Sequence, residues 1–348
     1  MWHITKIALL LCLLSCKAYA QQRCDIRNLA FEGAGIRGIA YAGVLDELEK
    51  HKVLANIQKV GGTSAGAITA MMVSLGYTSE EIGNLISSTQ FRKFNDGRFM
   101  FVGGFARMNK YFGWYRGDRF TDWTAKIIAE KTGNPDITFQ ELSASGYKDL
   151  YITATSLNQQ KLVVFSKETY PHMKVKDAVR ASISIPLYFR AVLIDSAGTV
   201  YKKPDKSKNL DVVVDGGIIG NFPIMMFDSI AIDAANKTHR VPNPQTIGVR
   251  IDSDLQIRND ASSRELVPLE IHNFRDYMSA LYVIVIENLN RNELTDADWA
   301  RTISVSSVGI TPRVRKMSKE EKENLMQSGR EYTAKFLSAS CSEPGFNK

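Results

Sequence analysis

Apolar positions along the chain fall into short clusters punctuated by glycine-rich turns. A run at Asn28 to Phe31 predicts a strand, and after the turn that follows, Tyr41, Val44, Leu45 and Leu48 recur at helical spacing. Ile57 to Val60 predicts a second strand ending in another glycine-rich turn. Ala65 to Leu75 is small or apolar nearly all round, which predicts a buried helix that Gly76 stops. Further strands are predicted at Leu150 to Thr155, Leu162 to Ser166, Asp211 to Val214, Ile247 to Ile251 and Thr302 to Ser306, most of them separated by helical stretches. A last helix is predicted from Ser318 to Phe336. This alternation points to an α/β fold with a mainly parallel central sheet flanked by helices. In such sheets, sites gather at the carboxyl ends of the strands.

The N-terminus reads differently. Lys6 precedes an apolar run from Ile7 to Leu14, and Ala18-Tyr19-Ala20 follows, the pattern of a signal peptide cleaved after Ala20. The expectation is a secreted or periplasmic protein. Leu13-Leu14-Ser15-Cys16 resembles a bacterial lipoprotein box, which leaves a lipid anchor at Cys16 as the alternative. Nothing later supplies the roughly 20 apolar residues of a membrane helix. The expected layout is therefore a leader at 1–20, a catalytic domain at 21–255 and a C-terminal helical extension at 256–348 packing on the same domain.

Lys6 and Lys17 leave with the leader, so 42 of the 44 basic residues stand against 37 acidic ones, a balance of +5. That excess steers weakly toward anionic surfaces. With no recognition motif or sustained basic stripe, no nucleic-acid partner is expected. Cleavage after Ala20 leaves Cys24 and Cys341, too few for a zinc site, and export would favour a disulfide between them.

The sharpest local signal is Gly62-Thr63-Ser64-Ala65-Gly66, which fits the G-x-S-x-G nucleophile elbow. A strained strand-to-helix turn pushes the Ser64 hydroxyl clear of the backbone, Gly62 and Gly66 permit close packing, and the helix N-terminus favours developing negative charge. By itself the pentapeptide is also an ordinary tight turn. Gly33-Ala34-Gly35-Ile36-Arg37-Gly38 satisfies G-x-G-x-x-G, but a dinucleotide site also wants an acidic residue near the end of the second strand, and His51 to Gly62 contain none. The loop reads better as a set of backbone amides forming an oxyanion hole.

Ser64 needs a base. His51, His172, His239 and His272 all stand in polar or loop contexts. Asp215 instead ends an apolar strand and precedes Gly216-Gly217, open to a neighbouring turn. An ordinary aspartate, near ~3.9, is a poor base for serine, so the site has to raise that value by burial.

These three turns, in this order, resemble patatin-like phospholipases. Ala178-Val179-Arg180-Ala181-Ser182-Ile183-Ser184-Ile185-Pro186 followed by Phe189 is similar to that family's helix-to-loop block before the aspartate strand. The resemblance covers about Asn28 to Ile232. It implies a patatin-like three-layer architecture, Ser64 as nucleophile, Asp215 as sole base, the glycine loop as oxyanion hole, and neither metal nor cofactor. Ala34 stands where the family often has a third glycine.

The substrate the resemblance implies is a phospholipid or other acyl lipid, met at a membrane surface as a peripheral protein. Between Phe91 and Phe120, aromatics including Phe99, Phe101, Phe105, Phe112 and Trp114 interleave with cations including Arg98, Arg107, Lys110, Arg116 and Arg119. Aromatics suit the interfacial layer and cations suit phosphate headgroups, with Gly103-Gly104 and Gly113 as hinges of a lid. The alternative is a loop whose aromatics pack on the core. A Ser-Asp-His esterase, which needs a histidine, and an inactive lipid-binding effector are the competing functions. Headgroup, acyl chain, cleavage position and any protein activator are not legible.

Overall fold

The structure is a computed structural model that describes residues 25–97, 102–233, 235–288, 291–313 and 315–341. The leader, Cys16, Ala20, Cys24, Arg98, Phe99 and Phe101 lie outside them, and with Cys24 so does the expected disulfide.

The main sheet comprises β1 (Asn28–Phe31), β2 (Lys59–Gly62), β3 (Asp149–Ser156), β4 (Lys161–Phe165), β5 (Val192–Ile194), β6 (Val200–Tyr201), β7 (Asp211–Asp215), β8 (Thr246–Asp252) and β9 (Thr302–Ser306). Its order is β9-β8-β1-β2-β3-β7-β5-β6, with β4 paired to β3 beside this path. From β9 to β3 all neighbours are parallel, as the alternation of strands and helices predicts. The rest, including the strand that ends in Asp215, is antiparallel.

β2 lies two residues further along than the apolar pattern places it, and takes in Gly61 and Gly62. Both sit under close neighbours: a Cβ on Gly61 would lie 2.2 Å from the Met226 sulfur. Strand glycines of this kind read as turn until the packing is seen.

Helix α1 (Ala40–Lys50) buries Tyr41, Val44, Leu45 and Leu48, the face its periodicity marks. Helix α2 (Ala65–Ser74) is buried from Gly66 to Ser74, as an apolar surface on all sides requires. Past residue 255 the chain is not only helical, since it supplies β9 at the sheet edge. Its last described element is α3 (Lys319–Cys341), capped by Ser318, whose Oγ accepts the Glu321 amide at 3.0 Å. α3 packs against α1 at backbone distance: a Cβ on Gly43 would lie 1.8 Å from the Met326 carbonyl oxygen. No described helix is long and apolar enough to cross a membrane.

Candidate active site

Ser64 sits between β2 and α2 with φ 51° and ψ −116°, a left-handed conformation that costs a residue with a Cβ about 1–3 kcal/mol. The turn is held by its neighbours. A Cβ on Gly62 would fall 2.4 Å from the backbone of Gly66, and one on Gly66 would fall 2.3 Å from the Phe31 carbonyl oxygen. The Ser64 amide donates to Ser182 Oγ at 2.8 Å, and the Thr63 hydroxyl shares a 2.6 Å hydrogen bond with Thr153 on β3.

Strand register brings Asp215 to this turn. Gly62 on β2 is level with Ile152 on β3, and Asp215 on β7 is level with Ala154, two residues further along. Ser64 lies two residues past Gly62, so serine and aspartate meet at one height across β3. Asp215 is 1% exposed; its amide donates to the Ser184 carbonyl at 2.9 Å and its Oδ1 accepts the Gly217 amide at 2.8 Å. Burial pushes its carboxyl up to about 7, against the hydrogen bonds from Gly217 and from the Ser64 side chain, which act to lower it. The Ser64 side chain is thus near enough to act on the Asp215 carboxyl. Gly216 lies against Thr153, and Gly217 opens the short helix Gly217–Gly220.

The glycine loop lies on the other side of Ser64, and the fold already engages half of its amides. Gly33 donates to the Asn221 carbonyl at 3.0 Å, Ile36 to the Pro312 carbonyl at 3.1 Å and Arg37 to the Ala34 carbonyl at 3.2 Å. Gly38 lies inside the 3₁₀ turn Gly35–Ile39. The amides of Ala34 and Gly35 make no hydrogen bond to a described residue, and neither does that of Ala65, which follows the serine. Gly35 and Ala65 line the same pocket as Ser64.

That pocket is apolar. Ile36, Ile39, Ile68, Ile86, Ile183 and Ile185 share its walls with Phe91, Phe94, Phe120, Tyr188 and Phe189. The aromatic stretch thus divides. Phe94 and Phe120 are buried beside Ser64, while Phe105 and Phe112 stand 60% and 46% exposed. Trp114 lies in the short strand Gly113–Tyr115, which pairs with Leu187–Phe189, so Gly113 is fixed in a ladder. The four histidines His51, His172, His239 and His272 are exposed and none lines the pocket. No group of His, Cys, Asp and Glu among the described residues is arranged to hold a metal ion.

Several residues that build the site carry no local signal. Asn221 clamps Gly33 twice, through its carbonyl and by donating from Nδ2 to the Gly33 carbonyl at 2.9 Å. Pro312, from the C-terminal part of the chain, holds the loop from the far side. Ser182 and Ser184 lie in the block Ala178 to Pro186, and their partners explain its position: one end holds the serine backbone and the other the aspartate backbone. Behind the loop, Arg250 is buried against Glu32 at 3.1 Å and Asp252 at 2.7 Å.

Residues 29–228 match the model of the family described as patatin-like phospholipase. An uncharacterized protein of Acanthamoeba polyphaga mimivirus is 28% identical over 308 residues, covering 88% of this chain and 91% of its own length. A probable lipid hydrolase of Invertebrate iridescent virus 6 is 27% identical over 231 residues, covering 64% of this chain and 69% of its own. Among solved structures, VipD from Legionella pneumophila superposes with a TM-score of 0.58 at 15% identity, over 91% of this chain and 67% of that one, a likeness of fold.

Proposed function

This chain belongs to the patatin-like phospholipase family, and we propose that it hydrolyses carboxylic esters of lipids with Ser64 as nucleophile and Asp215 as the only base. The observation that carries this is the buried Asp215 carboxyl, lifted to about 7 and level across the sheet with Ser64, which lines an apolar pocket. A carboxylate near neutrality is basic enough to take a serine proton and acidic enough to return it.

In the first step Asp215 takes the Ser64 proton as Oγ bonds to the ester carbonyl carbon. Negative charge collects on the carbonyl oxygen, where the amides of Gly35 and Ala65, with Ala34 behind them, and the N-terminus of α2 stabilise it. The intermediate collapses, the ester C–O bond breaks, and the leaving alcohol takes the proton from Asp215. Water then attacks the acyl-serine while Asp215 takes its proton, and Ser64 recovers that proton as the fatty acid leaves. The acyl chain lies among the isoleucines and phenylalanines of the pocket.

The exposed Phe105 and Phe112, with the exposed cations Lys110, Arg116 and Arg119 nearby in the chain, support a peripheral seat on a lipid surface. Export through the leader, with release after Ala20 or lipidation at Cys16, is part of the same proposal.

A fluorophosphonate probe tests the chemistry. Labelling should reach Ser64 in the wild type and vanish in Ser64→Ala, and incubation with mixed vesicles should release fatty acid that mass spectrometry detects. Failure to label would favour a lipid-binding effector. Loss of turnover on replacing His239 or His272 would favour a Ser-Asp-His esterase.

A further inference from the structure

A second cleft of about 560 Å³ opens beside the apolar pocket, within the size range of ligand sites. Ile36, Ile39 and Phe91 line both, so the two are contiguous. Their chemistry is opposite. Arg92, Lys93, Arg315, Lys316 and Lys322 line the second cleft, and no Asp or Glu among the described residues does.

Two of these cations are already engaged. Arg315 pairs with Glu321 at 2.7 Å, and Lys322 donates to the Ser87 carbonyl. Arg92, Lys93 and Lys316 are exposed and form no ion pair with a described residue. Burial raises the Tyr188 hydroxyl above its ordinary value while the nearby Arg92 charge opposes that rise, and Tyr188 lines the apolar pocket. Three cations with no ion-pair partner among the described residues therefore stand at the polar end of a cavity whose apolar end holds Ser64.

We propose that this cleft is a subsite for the phosphate-bearing headgroup of the substrate, and that the enzyme prefers phospholipids with a net negative headgroup over zwitterionic ones. The inference rests on Ser64 being the ester-cleaving serine. Arg92 provides a planar fork for phosphate oxygens, and Lys93 and Lys316 add point charges. A choline headgroup brings its own cation into this field, and a glycerol headgroup does not.

The test uses dihexanoyl lipids below their micellar concentrations, which removes any effect of surface charge. The wild type should turn over dihexanoyl phosphatidylglycerol with kcat/KM about tenfold above that for dihexanoyl phosphatidylcholine, most of it in KM. In Arg92→Gln with Lys316→Gln the ratio should fall to about one, and Arg92→Lys alone should retain most of it. A neutral ester, p-nitrophenyl butyrate, is assayed alongside. Ser64-dependent cleavage of that ester with no headgroup preference overturns this inference and leaves the proposed function standing. No cleavage of any ester overturns both. A preference that survives in the double variant places recognition elsewhere and overturns the assignment. Calorimetry with inorganic phosphate separates the remaining case: phosphate binding that the double variant loses, without any preference among the lipids, makes this a free-anion site and overturns the lipid reading.

Discussion

Asn221 and Gly33 are joined by two hydrogen bonds, from the Gly33 amide to the Asn221 carbonyl at 3.0 Å and from Asn221 Nδ2 to the Gly33 carbonyl at 2.9 Å. This clamp fixes the entry to the glycine loop and so the direction of the amides at Ala34 and Gly35. Asn221→Ala keeps the backbone bond and loses the other. With donors set loosely, kcat on a soluble ester should fall about tenfold to a hundredfold while KM changes little. Steady-state kinetics checks this, and a loss confined to KM would show that Asn221 serves substrate binding instead.

Asp215 links activity to pH. Its carboxyl must be ionised to take the serine proton, so kcat/KM should rise with a midpoint at about 7 and then level off. Stability runs the other way. Between about 4 and 7 the native state holds a proton that the unfolded chain has lost, so stability falls as pH rises through that window and levels above it. Asp215→Asn should be inactive, yet more resistant to urea than the wild type at pH 8. Urea midpoints at pH 5 and pH 8 decide the matter: an equal loss at both would mean that Asp215 serves packing alone.

Ser64 occupies φ 51°, where a Cβ is strained. Ser64→Ala and Ser64→Gly should both abolish ester hydrolysis, but only glycine relieves the backbone. Ser64→Gly should match or exceed Ser64→Ala in stability, by up to about 1 kcal/mol. Thermal melts of the two variants provide the comparison, and Ser64→Gly melting below Ser64→Ala would count against strain at the elbow.

Arg250 is 1% exposed, bonded to Glu32 and Asp252 and lying over the rings of Phe222 and Trp299 at 5.2 and 5.3 Å. Asp252 keeps a second partner in Arg291 at 2.8 Å. Arg250→Leu removes a cation from buried carboxylates and should cost about 3–5 kcal/mol by denaturant unfolding. Because Glu32 adjoins Gly33, activity should fall as well. A change below about 1 kcal/mol would mean that the network relaxes without its central cation.

Phe105 and Phe112 are exposed, whereas Phe94 and Phe120 are buried beside Ser64. Phe105→Ala with Phe112→Ala should weaken vesicle sedimentation severalfold and leave a soluble short-chain ester nearly unaffected. Phe94→Ala should harm both readouts of catalysis, on vesicles and in solution. Equal losses in the double variant on both substrates would return Phe105 and Phe112 to a structural role.

Local rules made much of this protein legible from its sequence. The helical spacing of Tyr41, Val44, Leu45 and Leu48, the all-apolar run of α2 and the close approach of Gly62 to Gly66 around Ser64 each reflect residues close in the chain. The matching family model agrees with the resemblance carried by the glycine turns. What the tertiary structure decided is what lies between segments distant in sequence. The antiparallel pairing of β7 with β3 levels Asp215 with Ser64, burial lifts its carboxyl to about 7, and Asn221 and Pro312 choose which loop amides remain open. The division of the aromatic stretch into pocket wall and surface, and the cationic cleft shared by Arg92 and Lys316, belong to the same class. Periodicity and turn chemistry are set within a few residues, whereas register, burial and electrostatic surroundings depend on which strand or loop arrives alongside, and no local pattern specifies that partner.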